Sequence, residues 1–181
     1  VLVFALLVMP VFIGFALIII DIGRGNNAHA DLAAAADAVA LAGARELDGS
    51  PDAIDRAKAA MANLTNTVSM LATGGPDMEI TLTYADTDEN AFEVTFLSEI
   101  PFLDTTPIGA AWLADKGVTS DDDQGDAQYV HVRAKSRNLS SIIAERLGLF
   151  SSIPVAATAV AKSISATCDI PPLYICNPFE Y

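Results

Sequence analysis

Two cysteines close to the end of the sequence are the residues best suited to covalent chemistry. Cys168 and Cys176 have seven residues between them and flank a Pro-Pro dipeptide. A pair this close can form a disulfide, and disulfides persist outside the cytoplasm. We therefore expect a disulfide here, and two partly buried thiols are the alternative interpretation. A zinc site is not expected, because two further ligands are absent and neither His29 nor His131 is near in sequence.

A cluster of aspartates is the one candidate in the sequence for a cation site. Asp121, Asp123 and Asp126 surround Gly125, and hard cations such as calcium bind several carboxylate oxygens. The cluster is not the twelve-residue loop with a closing glutamate that binds calcium in many proteins. A solvated acidic loop is therefore the favoured interpretation, and we predict neither a bound metal nor a cofactor.

The sequence lacks the features expected of an enzyme or a nucleic-acid-binding protein. Catalysis needs a convergent set of ionisable groups, and neither His29 nor His131 has an obvious partner in sequence. The motifs HExxH and GxSxG and a Gly-rich phosphate loop are all absent from the sequence. The formal net charge of −13 over 181 residues repels phosphate groups. We expect no enzymatic activity and no nucleic-acid partner.

The first 20 residues, from Val1 to Ile20, contain no charged side chain. At about 1.5 Å per residue, a helix of this length spans about 30 Å, the thickness of the hydrocarbon layer of a membrane. Pro10 lies near its middle, and transmembrane helices tolerate proline. The apolar region of a secretory signal has only about 7–15 residues and ends at a cleavage site with small residues. We therefore expect a retained span in contact with lipid, and a buried helix of a soluble protein is the alternative.

Every charged residue lies at or after Asp21, so the part that follows the span carries all the negative charge. The positive-inside rule gives no orientation, because no basic flank precedes the span. The acidic region and its cysteine pair indicate that the C-terminal part lies outside the cytoplasm. Val1 is not an initiator methionine, and we expect the sequence to be a segment of a longer protein.

The pattern of apolar residues after the span predicts an α+β domain. A helix continues from Asp21 to about Leu47, and a second helix is expected over residues 51–72, where apolar residues recur at steps of three and four. Alternating apolar residues predict an antiparallel sheet of about four strands, the first two forming a hairpin. One helix is expected between the last two strands. The predicted strands cover residues 78–84, 92–96, 128–134 and 155–165, and the predicted third helix covers residues 136–150.

The helix after the span is unusually rich in alanine between Ala33 and Ala44. Small side chains allow another backbone to approach closely. We therefore predict a helix-packing interface formed by Ala34, Ala38, Leu41 and Ala42. The alternative is that alanine is there only for its high helix propensity.

Three segments together resemble the TadE/TadG-like proteins of bacterial tight-adherence (Flp) pilus systems. They are the apolar span with a central proline, the junction Asp21-Ile22-Gly23-Arg24, and the stretch DLAAAADAVALAGARELDG over residues 31–49. The order of the later elements and the tail CDIPPLYICNPFE at 168–180 are also similar. The resemblance implies an inner-membrane anchor, a periplasmic domain and no catalytic residues, and it agrees with the single-pass orientation, with a cytoplasmic N-terminus, that the acidic region indicates. A prepilin-peptidase site and a von Willebrand-type domain are not present in this sequence.

We therefore expect three parts: a transmembrane helix at 1–20, an Ala-rich juxtamembrane helix at 21–49, and an acidic periplasmic α+β domain at 50–181. The expected function is structural, in the assembly of a Tad/Flp-type pilus, with membrane or pilus-system proteins as partners. One alternative is an accessory single-span subunit of a larger membrane complex, for example a photosynthetic or respiratory one. The second alternative is a pilin-like filament subunit.

Overall fold

The computed structural model describes residues 2–68, 80–85, 91–103, 106–120, 122–141, 145 and 148–163. The helices among these residues are α1 (Leu2–Arg45), α2 (Ala53–Ala62), α3 (Ala110–Lys116) and a short 3₁₀ helix (Gln124–Asp126). The strands are β1 (Thr65–Val68), β2 (Ile80–Thr83), β3 (Phe92–Leu97), β4 (Gly117–Val118), β5 (Tyr129–Ser140) and β6 (Ser152–Lys162).

One uninterrupted helix of 44 residues, α1, joins the apolar run to the Ala-rich segment. Leucine and alanine have high helix propensity, and the isolated Pro10 lies inside α1 without ending it. The helix ends at Arg45, and Gly49 follows in a left-handed conformation with φ of 83°. This turn, which glycine adopts without strain, redirects the chain into α2. The predicted continuation of the first helix beyond Asp21 is confirmed.

The strands form a four-stranded antiparallel sheet in the order β4-β3-β5-β6 and a separate two-stranded sheet, β1-β2. Val130 and Val132 on β5 are fully buried, as their alternation predicts, and face Phe96 and Val94 across the strand pair. The expected fold class, α+β with an antiparallel sheet of four strands, is confirmed.

The second half of α1 is the central element of the core, because it lies along β5 for the whole length of that strand. Near one end, Gly43 is so close to the sheet that a Cβ atom there would lie 3.4 Å from Val130 Cγ1. At the other end, Asp21 meets Ser141, the residue after β5. The apolar residues of α1 that this packing buries are Ala28, Leu32, Ala35, Ala36, Val39, Ala40 and Ala44.

A bulge in β5 keeps the apolar side chains of both ends of the strand on the same face. Ala134 pairs with Ala157, but the next pair is Arg137 with Val155, so β5 contains one extra residue. An extra residue reverses the alternation of side chains beyond it. As a result Leu139, five residues after Ala134, is 3% exposed and joins the core.

Three sequence-based expectations about individual elements are wrong. Residues 65–68, expected to continue the second helix, form β1 instead. The expected hairpin between the strands at 78–84 and 92–96 is not formed: β2 pairs with β1, and β3 pairs with β4 and β5. Residues 136–140, expected to begin a helix, extend β5, because the bulge lets this segment continue the sheet.

Candidate functional site

The first part of α1 exposes large apolar side chains that no other described element covers. Phe4, Phe12 and Ile19 have exposed fractions of 71%, 69% and 68%. This part of the helix is long and apolar enough to cross a membrane, and only 6% of its most apolar 18-residue window is buried. A core helix of a soluble protein would be mostly buried, so this segment is not a core helix of the described domain.

The site of most interest is the junction where the apolar run ends and the packed half of α1 begins. Asp21 is 1% exposed and Ser141 is 3% exposed. The Ser141 hydroxyl donates a 2.7 Å hydrogen bond to Asp21 Oδ2, which fastens the end of β5 to the helix. A buried carboxylate is costly unless such partners satisfy it, so this contact fixes where the sheet sits along α1.

Arg24 adds a second link at the same place. Its Nη1 lies 3.4 Å from Asp21 Oδ1 and also 3.4 Å from the carbonyl oxygen of Ser140, to which it donates. Arg24 and Asp21 are one helical turn apart, a spacing that puts their side chains on the same face. Asp21 and Arg24 therefore bind each other and also the end of β5.

An open apolar groove of about 430 Å³ lies beside this junction, between α1 and β6. Gly25 is one of the residues around it, and a Cβ atom there would lie only 3.2 Å from Ile153 Cγ2. The small residue allows β6 to approach the helix closely. The other residues around the groove include Ile22, Asn26, His29, Phe150 and Pro154.

One of the four predicted helix-packing residues, Ala42, packs against the core. Ala34 and Leu41 are exposed, with Leu41 at 51%, whereas Ala38 and Ala42 are half-buried. The opposite face of the same helix packs on β5 and β6. One side of this half of α1 is therefore buried in the core, and the other side is exposed to solvent. A role of the four predicted residues in binding a partner stays a prediction.

The other predicted site residues have mixed positions. Pro10 and Ile20 lie in the exposed part of α1, and Ile20 is 53% exposed. The predicted span begins at Val1, which lies outside the described residues, as do Cys168, Cys176 and Asp121. The Asp123 side chain accepts a hydrogen bond from Gly125 N, and Asp126 ends the 3₁₀ helix. The disulfide stays a prediction, and so does the interpretation of the aspartate cluster as a solvated loop without a bound metal.

Sequence reasoning missed the role of Gln124. This residue is 7% exposed, and its Oε1 accepts from the backbone N–H groups of Ile54 and Asp55 at 3.0 and 3.3 Å. These donors belong to the first turn of α2, where backbone N–H groups have no partner within the helix. The only signal in the sequence was a glutamine among aspartates, which does not indicate a contact 70 residues away.

His131 is the buried histidine of β5, at 6% exposure. Burial, and then the positive charge of Arg133, lower its pKa below the ordinary value of 6.5. It lies opposite Thr95 on β3 and Val160 on β6. The histidine is thus a buried residue of the sheet, with a threonine and a valine as its strand neighbours.

Residues 1–46 match the family model Tad, described as "Putative Flp pilus-assembly TadE/G-like". The resemblance to TadE/TadG-like proteins is therefore confirmed. The matched TadE/G-like segment coincides with α1, so it contains both the exposed apolar run and the helix that organises the core. Neither a curated protein nor a solved structure gives a significant match to the chain.

Proposed function

We propose that this protein is a single-span inner-membrane protein whose periplasmic domain has a structural role in assembling a Tad/Flp-type pilus. The observation that carries the proposal is that the TadE/G-like segment and α1 are the same stretch of chain. The apolar part of α1 is the anchor, and the part after Asp21 is the core of the domain. The division into a span at 1–20, a juxtamembrane helix at 21–49 and a periplasmic domain at 50–181 belongs to this proposal.

The proposed role is contact-mediated and not catalytic. Proteins of a pilus-assembly family act through other proteins of the pilus system, and the exposed face with Ala34 and Leu41 is the surface that we assign to such a partner. It is supported by two features: the small side chains permit close helix packing, and the sheet does not occupy this face. The acidic charge makes nucleic acid an unsuitable partner.

Deletion of the coding sequence tests the function directly. We expect a strain without the protein to lose surface pili and adhesion, and expression of the intact chain to restore both. Normal piliation in the deletion strain would exclude the proposed role.

Site-specific photocrosslinking in living cells tests the partner surface. A photoreactive amino acid at Ala34 or Leu41 is expected to capture a protein of the pilus system, which mass spectrometry would identify. The same group at Thr158, which is exposed on the opposite face of the sheet, is the matched control. Capture of a second copy along isolated pili would indicate a filament subunit instead, and capture of subunits of another complex would indicate an accessory subunit.

A further inference from the structure

The paired residues Ser141 and Ser151, where the β5–β6 ladder ends, lie beside the end of the apolar run of α1. Ile153 of β6 packs against Gly25, and Ser141, which follows β5, bonds to Asp21. Ser141 N also donates to Ser151 O at 3.0 Å, so the two strands are still paired at this level. The hairpin therefore runs along α1 toward the proposed membrane and does not turn away from it.

The spacing along the two elements shows how far the hairpin reaches. Four helical residues from Gly25 to Asp21 cover about 6 Å at about 1.5 Å each. Two strand residues from Ile153 to Ser151 cover about 7 Å at about 3.3 Å each. The two elements thus advance together, and Phe150, one residue before Ser151, lies in the same groove as Ile22 of α1. Phe150 therefore lies near the level at which the apolar run of α1 ends.

Two large apolar side chains at this end of the hairpin are exposed, beside the exposed polar residues Ser140, Glu145 and Ser151. Leu149 is 58% exposed and Phe150 is 36% exposed. On α1, Ile20 and Ile22 are 53% and 50% exposed, and Ile22 shares the apolar groove with Phe150. A hairpin end in water is usually made of polar turn residues. Here the exposed apolar surface continues from the helix onto the hairpin, and contiguous surfaces of this kind mark an interaction with another apolar phase or partner.

We propose that the end of the β5–β6 hairpin, through Leu149 and Phe150, inserts into the interfacial layer of the membrane beside the span. The occupant of this surface is lipid, because the surface is continuous with the face of α1 that the proposed span would turn to lipid. The inference rests on that span. Each interfacial layer of a bilayer is about 5–8 Å thick. The proposed span ends at residue 20, so residues at this level lie where the hydrocarbon and interfacial layers meet.

The charge of the protein makes apolar insertion the suitable mode of contact. A net charge of −13 is repelled by anionic headgroups, so electrostatic attraction cannot hold the domain against the membrane. Burial of apolar side chains at the boundary of headgroups and acyl chains does not depend on charge. The contact would give the domain a second point of attachment besides α1.

Tryptophan quenching in vesicles tests the inference. The intact protein would be reconstituted in phosphatidylcholine whose acyl chains carry bromine either near the headgroup or near the chain end. The test variant combines Phe150→Trp with Trp112→Phe, so that position 150 holds the one tryptophan, and Leu149→Trp in the same background is a second test position. We expect bromine near the headgroup to quench both more strongly than bromine near the chain end.

Two matched variants in the Trp112→Phe background complete the experiment. Phe102→Trp places the probe beyond the opposite end of the sheet, five residues after Leu97 at a position that is 98% exposed, and we expect no quenching. Phe12→Trp places it in the middle of the proposed span, where deep bromine should quench most.

The outcomes separate the two proposals. If position 12 is quenched and positions 149 and 150 behave like position 102, the span stands and lipid insertion of the hairpin is wrong. If position 12 is not quenched, the span fails and the hairpin inference fails with it. A blue-shifted emission at position 150 without quenching by either lipid would show that protein covers the tip, which also overturns the inference.

Discussion

The Ser141 hydroxyl donates a 2.7 Å hydrogen bond to the Asp21 carboxylate, although 120 positions of sequence separate the two residues. Both side chains are almost completely buried. Their contact joins the end of the apolar run to the end of the longest hairpin. It therefore sets the position of the whole sheet relative to the proposed membrane surface.

Ser141→Ala tests this link. The substitution removes the donor to Asp21 and also the acceptor of the Glu145 backbone N–H. Removal of one partner of a buried polar group costs about 1–3 kcal/mol, and we expect a loss of that size in the free energy of unfolding. Urea titration of the detergent-solubilised protein, followed by Trp112 fluorescence, measures it.

The neighbouring serine provides the control for that substitution. Ser140 is exposed, and its contact with Arg24 uses the backbone carbonyl, which Ser140→Ala retains. We expect a change within about 0.5 kcal/mol for this surface substitution. Equal losses for the two variants would show that the Asp21 contact contributes nothing of its own.

Gly43→Leu tests the close packing of α1 on the core. A Cβ atom at this position would lie 3.0 Å from Met61 Sδ and 3.4 Å from Val130 Cγ1. The larger side chain must push α2 and β5 away from α1, and overpacking of this kind costs about 1–3 kcal/mol. A lower thermal midpoint, measured by circular dichroism, is the expected result.

Gly23→Leu is the comparison, because nothing lies within 4 Å of the corresponding Cβ position. In a helix, leucine is more favourable than glycine by just under 1 kcal/mol, roughly. We expect this variant to be at least as stable as the parent. If both glycines tolerated leucine equally, the packing of α1 on β5 would be looser than the distances indicate.

Gln124→Ala tests the contact that holds the 3₁₀ turn to the start of α2. The variant leaves the buried N–H of Ile54 without its acceptor and removes the Nε2 donor to Asp55 Oδ2. The expected cost is about 1–3 kcal/mol. In hydrogen-exchange measurements, the Ile54 amide should exchange faster in the variant than in the parent protein. This increase should be larger than that at the Val132 amide of β5. Unchanged protection of Ile54 would contradict the assigned role.

His131 makes the stability of the domain depend on pH. Its pKa is lowered in the folded state, chiefly by burial, so the unfolded chain binds a proton more readily than the folded one. The contribution of His131 to the free energy of unfolding is therefore fully present above the ordinary histidine pKa of about 6.5. It is lost as the pH falls through the lowered pKa of the folded state. Unfolding midpoints recorded between neutral pH and mildly acidic pH measure the slope.

His131→Gln is expected to flatten that slope, whatever its effect on the absolute stability. A slope that persists in His131→Gln would assign the pH dependence to another group.

The helix and the faces of the strands could be predicted from sequence because they are local patterns. The long α1 follows from apolar and alanine content, and the buried face of β5 follows from the alternation at Val130 and Val132. The alternation stops at Ala134, and the next core residue, Leu139, is five positions away. In a regular strand, residues on the same face are an even number of positions apart. The five-residue spacing therefore favoured a helix, and the bulge between Ala134 and Arg137 is what allows this spacing in a strand.

Strand partners and the junction could not be predicted in the same way. Alternation shows which face of a strand is buried but not which strand lies next to it, so β2 and β3 were assigned to one hairpin incorrectly. The Asp21-Arg24 motif was recognised as part of a family resemblance. Its contacts with Ser140 and Ser141 arise from the packing of distant segments, which no local pattern contains.

The uninterrupted course of α1 has a consequence for how the protein is made. Leu32 and Val39 belong to the core, yet they follow the proposed span by only a short stretch of chain. The sheet that packs on them is completed by β6, more than a hundred residues later in synthesis. Residues 28–44 are therefore covered only in part, by α2 and β5, until β6 has been made, so the core of the domain is completed long after the proposed span has been synthesised.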